Sequence, residues 1–207
     1  VNSGVLDASG SRGGVVQVLG SQVGLVDNAV VDVRGVTGGG TALIGGSYQG
    51  KDTEVLNAQK TVVDRNATIN ADSVSVGDAG KVVVWSDDAT YYYGSISARG
   101  NSSANLVFPG GLTFSPGKGG TVEVSGKGSL AFDGAVDASS NGGKAGSILL
   151  DPRDITIVAS GANNSSLSTT GILFAGPPIT TADASFSASA IQALNGDITL
   201  QANRDLS

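Results

Sequence analysis

The sequence predicts an all-β fold, a parallel β-helix (β-solenoid) with three short strands per turn and loop insertions. Three observations carry that reading. The first is composition: of 207 residues 32 are Gly, charged residues make up 14%, and most of the rest is Val, Ile, Ala, Leu, Ser, Thr, Asn and Asp. β-branched residues suit a pleated surface, and Gly, Asn and Asp suit turns. The second is a repeat: residues 79–100, AGKVVVWSDDATYYYGSISARG, align without a gap on residues 119–140, GGTVEVSGKGSLAFDGAVDASS, forty positions on. The third is alternation at period two within each short run, which buries one face of a strand.

Each turn begins on a G-x-V-x-V strand. Its inward pairs are Val16 and Val18, Ala42 and Ile44, Val82 and Val84, Val122 and Val124, and Ile148 and Leu150. The spacings of 26, 40, 40 and 26 give a base turn of about 26 residues with two insertions, near 47–59 and at 101–118. The middle strand sets Tyr92 over Phe132 but is ambiguous in the first two copies. The closing strand recurs at Val31-Asp32-Val33, Ile69-Asn70-Ala71, Ile96-Ser97-Ala98 and Val136-Asp137-Ala138. One turn cannot bury its apolar face, but stacked turns can. A glycine-rich β-sandwich is the competing fold, though its strands need not recur at one offset with matching residues.

These turns occupy residues 1–158. Residues 159–190 read as a low-complexity excursion with one strand at Ile172–Phe174, and 191–207 as a resumed turn. The match of DPRDITIVA (151–159) with GDITLQA (196–202) suggests that resumption. The chain reads as a fragment of something longer.

A net charge of −6 argues against nucleic acid and against anionic membrane surfaces. No apolar run approaches the roughly 18 residues of a membrane span. Absent Cys excludes a disulfide framework and thiolate metal sites.

In order, GGTALIGGSYQG, NATINAD, GKVVVWSDDATYYYGSISARG, GGTVEVSGKGSLAFDGAVDAS and ILLDPRDITI resemble the large exoproteins of bacterial two-partner secretion. The nearest likeness is to high-molecular-weight adhesins and filamentous haemagglutinin-like proteins. It covers about residues 10–160 and continues weakly to GDITLQANRDLS. The resemblance implies a right-handed parallel β-helix, secreted or held at the bacterial cell surface. Such chains pass unfolded through an outer-membrane β-barrel transporter, which recognises an N-terminal secretion domain. This chain resembles the segment after that domain. The implied role is structural or adhesive, in cell adhesion, biofilm or host attachment, with partners among extracellular polysaccharides or neighbouring cell surfaces.

Two other readings remain. One is a polysaccharide lyase or hydrolase, because β-helix enzymes use carboxylates and Arg. Asp151, Arg153, Asp154, Asp87 and Asp88 are the candidates. Glycosidic chemistry needs two carboxylates facing across a groove, and strand neighbours point in alternating directions. With no His or Cys, common triads and zinc sites are excluded. The expectation is therefore no enzyme, no catalytic residues and no cofactor.

The other reading is a carbohydrate-binding module. If Tyr92 points inward like Phe132, then Tyr91 and Tyr93 point outward, and Trp85 faces outward or sits at a corner. These three could stack on sugars, or lie beneath the loop at 101–118, whose Leu106, Phe108, Leu112 and Phe114 could cover them. Asn66, Asn101, Asn163 and Asn164 begin N-x-[ST] triplets, and Asn101 and Asn164 are the preferred acceptors for glycosylation. The calcium nonapeptide repeat is absent, so no metal is expected.

Overall fold

Short β-branched runs bounded by Gly leave the chain few options besides strands, and strands are what form. The computed structural model describes residues 1–102, 116–158, 183–202 and 204–206. The fold is all-β with parallel sheets. Up to Asp137 the chain visits three sheets in rotation. The five-stranded sheet holds β1 (Val5–Asp7), β4 (Val30–Asp32), β7 (Thr68–Asn70), β10 (Ser95–Ser97) and β14 (Ala135–Asp137). The six-stranded sheet holds β2 (Val15–Val18), β5 (Thr41–Ile44), β8 (Lys81–Val84), β12 (Thr121–Gly126), β16 (Ser147–Pro152) and β19 (Asp197–Leu200). The four-stranded sheet holds β3 (Gln22–Leu25), β6 (Lys60–Val63), β9 (Ala89–Tyr92) and β13 (Ser129–Phe132). A small parallel pair joins β11 (Gly100–Asn101) to β15 (Ser140–Asn141).

The registers follow the sequence alignment. Val16, Ala42, Val82, Val122 and Ile148 are successive Cα partners, and Ile198 extends the row. Val31, Ile69, Ile96 and Val136 form a second row. That row begins one strand earlier than the sequence suggested, at Leu6. The ambiguous middle strands resolve to Gln22–Leu25 and Lys60–Val63, which set Leu25, Val63, Tyr92 and Phe132 in line. The inner faces share one continuous apolar core. Two polar side chains that enter it are bonded. The Thr61 hydroxyl donates to the Trp85 carbonyl at 2.7 Å and the Thr90 hydroxyl to the Ser125 carbonyl at 2.7 Å.

A file of glycines sets how closely the layers stack. Gly14, Gly40, Gly80, Gly120 and Gly146 each precede a strand of the six-stranded sheet. Each carbonyl accepts the first N–H of the next strand: Lys81 bonds to Gly40 at 2.9 Å, Thr121 to Gly80 at 3.1 Å and Ser147 to Gly120 at 3.0 Å. A Cβ on Gly80 would overlap the Gly40 carbonyl oxygen, and the same holds one layer on at Gly120 and Gly146. The reason for Gly here is close backbone approach, without any positive φ.

Beyond β16 the order in space departs from the order in sequence. β17 (Asp154–Val158) pairs in register with β18 (Asp183–Ser187) on one side and with β20 (Asp205–Leu206) on the other. Phe186 of β18 meets Phe132 edge-on at 6.0 Å, so β18, not β17, continues the Tyr92–Phe132 file. A short helix, Ala188–Gln192, follows, capped by the Ser187 hydroxyl accepting from the Ala190 N–H at 3.2 Å. The two Asp-Ile-Thr segments do not stack. Ile198 lies on Ile148, and Ile155 lies between Ala184 and Leu206. The expected strand at Ile172–Phe174 lies outside the described residues, as does most of the 101–118 insertion.

Candidate functional site

The aromatic candidates come first, and of the two readings, stacking on a ligand or burial under a loop, the structure shows burial. Tyr92 is buried as expected and stacks on Phe132 with centroids 5.2 Å apart. Tyr91 and Tyr93 take the opposite face and form a separate cluster with Val62, Ala89 and Ala131. Neither is open to solvent: Tyr91 is 0% and Tyr93 4% exposed. Burial raises the pKa of both phenols, Tyr93 to about 12, and neither hydroxyl has a hydrogen-bond partner among the described residues. The Arg65 guanidinium lies 5.3 Å from the centre of the Tyr93 ring and pairs with Asp133 at 2.8 Å.

Trp85, 3% exposed, is also covered. Residues of the first insertion lie against its ring. A Cβ on Gly46 would come within 2.6 Å of the indole Cδ1, and one on Gly50 within 2.7 Å of Cε2. The loop is therefore pressed flat on the ring, and Gly50, at φ +61, turns there. Asn57 ties the loop to itself by donating to the Gly50 carbonyl at 3.0 Å, and the Trp85 Nε1–H donates to Asp87 at 3.1 Å. The three aromatics named as ligand contacts thus offer no stacking face. Period-two alternation tells which way a side chain points, not whether a distant loop returns to cover it.

Beneath the same loop lies a group that sequence reasoning missed. On the outer face of the six-stranded sheet, Leu43, Val83, Glu123 and Leu149 are Cα partners in turn. One carboxylate in an apolar row was the available signal. Glu123 is 0% exposed, and its Oε2 accepts the Gln49 N–H at 2.9 Å, latching the loop where Gln49 takes φ +54. Its Oε1 has no partner among the described residues. Asp151, 4% exposed, is the Cα partner of Ser125 two positions along, and its Oδ1 is also unpartnered. The Gln49 N–H and Ser125 favour the charged Glu123 carboxylate and act against the effect of burial.

Burial, with Asp151 adding to it, raises the Glu123 carboxyl from its usual 4.5 to about 7, and burial raises Asp151 too. Between pH 4.5 and 7 the folded chain holds a proton at Glu123 that the unfolded chain has lost. Raising pH through that window therefore removes stability, by up to about 3 kcal/mol. Urea midpoints should fall from pH 5 to pH 8, and Glu123→Gln should flatten the fall.

A cavity of about 210 Å³ opens beside this latch, lined by Gln49, Lys51, Trp85, Asp87, Lys127 and Asp151 among others. Of the carboxylates singled out in the sequence, it gathers Asp87 and Asp151. Asp154 instead receives Arg153 at 3.2 Å and Arg204 at 2.8 Å, and Asp88 is exposed elsewhere.

A wider groove of about 500 Å³ runs along the edge of the five-stranded sheet, past Arg34, Asp72, Arg99, Asn101, Asp137 and Asn141. Asp72 organises it, accepting from the Ser97 hydroxyl and the Arg99 N–H, each at 2.7 Å, and from the Arg99 guanidinium at 2.9 Å. Asp72→Ala orphans a backbone donor and should cost about 1–3 kcal/mol in urea unfolding. Arg99→Ala should cost less than about 1 kcal/mol, because the guanidinium is largely solvated.

Among the glycosylation candidates Asn66 is exposed in a turn. Asn101 is less available than expected, because its Nδ2 donates to the Val74 carbonyl at 2.7 Å. Asn163 and Asn164 lie outside the described residues. Among the described residues no helix is long and apolar enough to cross a membrane, and no group of three or more His, Cys, Asp or Glu is placed to hold a metal. No family model matches the chain, and no curated protein matches it.

Proposed function

We propose that this chain is a right-handed parallel β-helix segment of a large secreted bacterial surface exoprotein. It is exported by two-partner secretion and serves as a stiff structural element in adhesion, biofilm or host attachment, without catalysis. One observation carries the reading: three sets of parallel strands visited in rotation, with matching residue types in register. Such stacking makes a rod whose length grows with each layer. The resemblance of the ordered sequence segments to the exoprotein family supplies the secretion route. The burial of Trp85, Tyr91 and Tyr93 favours scaffold over grip. The test is export. Placed behind a two-partner secretion domain and co-expressed with its transporter, the chain should reach the cell surface in protease-resistant form. Retention inside the outer membrane contradicts the reading.

A second reading, a carbohydrate-binding module, keeps one supporting observation, the polar groove at Arg99 and Asn101. A glycan array decides it. Saturable binding that Arg99→Ala removes supports the module, and no binding leaves the scaffold.

A further inference from the structure

Two buried carboxylates on neighbouring strands raise a chemical question, because buried charge is normally paired or coordinated to a metal. Glu123 and Asp151 make no ion pair among the described residues. Lys81 acts on Glu123 and Lys51 on Asp151 through space, and each has a closer partner elsewhere. Lys81 Nζ stands over the Tyr48 ring at 4.8 Å, and Lys51 Nζ donates to the Gln49 side chain at 2.6 Å.

Three oxygens on these strands are buried without a hydrogen-bond partner among the described residues: Glu123 Oε1, Asp151 Oδ1 and Ser125 Oγ. The sheet sets their spacing. Ser125 and Asp151 are Cα partners across one strand spacing of about 4.8 Å, and Glu123 lies two residues along β12 on the same face, about 7 Å further. Ser125 and Asp151 both act on the Glu123 carboxylate, Ser125 favouring its charge and Asp151 opposing it. Of the three, Asp151 lines the 210 Å³ cavity.

We propose that Glu123, Asp151 and Ser125 form a binding site for a hard divalent cation of the calcium class, closed on one side by the loop that Glu123 latches. The donors are all oxygen, which suits calcium. Calcium takes six to eight oxygen ligands in flexible geometry, so carbonyl and water oxygens complete a set that begins with two carboxylates. Thiolate and imidazole metals find no ligand here, since the chain has neither Cys nor His. The site needs no third acidic residue, and no calcium nonapeptide repeat announces it. Its cation would hold both carboxylates ionised and tie β12 and β16 to the 45–59 loop. It adds a ligand to the scaffold proposed above and does not depend on the secretion reading.

The chain's single tryptophan, Trp85, lines the same cavity, which supplies a direct readout. Terbium(III) is titrated into the full chain with excitation of Trp85. The expected result is a saturable sensitised emission that calcium displaces. Emission affinity should weaken roughly tenfold or more in Asp151→Asn and in Glu123→Gln, and stay unchanged in the distant Asp7→Asn. Circular dichroism checks the folding of each variant. If Glu123→Gln does not fold, Asp151→Asn and Ser125→Ala decide. In parallel, calcium should raise the melting temperature at pH 8 in the wild type but not in Asp151→Asn. Absence of saturable emission overturns the proposal. So does emission undiminished in both carboxylate variants, or a melting temperature indifferent to calcium.

Discussion

Gly80→Ala is expected to unfold the chain or to cost more than about 4 kcal/mol, an exceptional value for adding one methyl group. The new Cβ would overlap the Gly40 carbonyl oxygen, with the Gly40 and Gly39 carbonyl carbons each 2.9 Å away. None of those atoms is the free end of a side chain. The Gly40 oxygen is fixed by the Lys81 N–H at 2.9 Å, so it moves only if the six-stranded sheet separates. Gly4→Ala is the contrast. Its nearest neighbour would be a side-chain oxygen at 3.9 Å, and it should change stability by less than about 1 kcal/mol. Urea titration followed by Trp85 fluorescence reads both, since the one tryptophan is buried in the folded chain.

Tyr92→Ala should cost about 3–5 kcal/mol, the range for deleting a buried aromatic ring. The ring is fully buried, stacks on Phe132, and closes over Gly134 so tightly that a Cβ there would strike it. Its hydroxyl donates to the Ala135 carbonyl at 2.7 Å, so Tyr92→Phe should lose about 1 kcal/mol. Tyr91→Phe separates the two tyrosines. Its hydroxyl is buried without a partner among the described residues, so removing it should be neutral or stabilising. Equal losses in the two Phe variants would contradict the inward and outward assignments.

Much of this architecture is legible in the sequence because stacking repeats itself. Val82 over Val122 and Tyr92 over Phe132 are adjacent in space for the same reason that they align in sequence. Legibility fails where the chain leaves its order. β18 takes the place on β13 that β17 should have had, and no local pattern signals such an exchange. The short Asp-Ile-Thr likeness does not reflect stacking, since Ile198 pairs with Ile148 while Ile155 pairs with Ala184 and Leu206. Leu6 was missed because its strand opens the series and has no earlier copy to align with.

The functional residues were harder to read for a related reason. Alternation turns Trp85, Tyr91 and Tyr93 outward, which left both grip and burial under a loop open, and they are buried. For Trp85 the cover comes from residues 46–57, almost thirty positions upstream or more. Glu123 passed unnoticed as an ordinary outward polar residue. Only the row Leu43–Val83–Glu123–Leu149 shows that this face is apolar and covered, and that row depends on register.

In-register stacking of strands far apart in sequence is tested most directly by a disulfide, because the natural chain has no cysteine to confuse the result. Thr121 and Ser147 are Cα partners in β12 and β16, and both are exposed. Parallel partners stand about 4.8 Å apart, within the span a disulfide bridges. Thr121→Cys with Ser147→Cys should cross-link completely under mild oxidation in the folded chain and leave its circular dichroism unchanged. Thiols that stay free in the folded chain, or that join only after denaturation, would contradict the stacking.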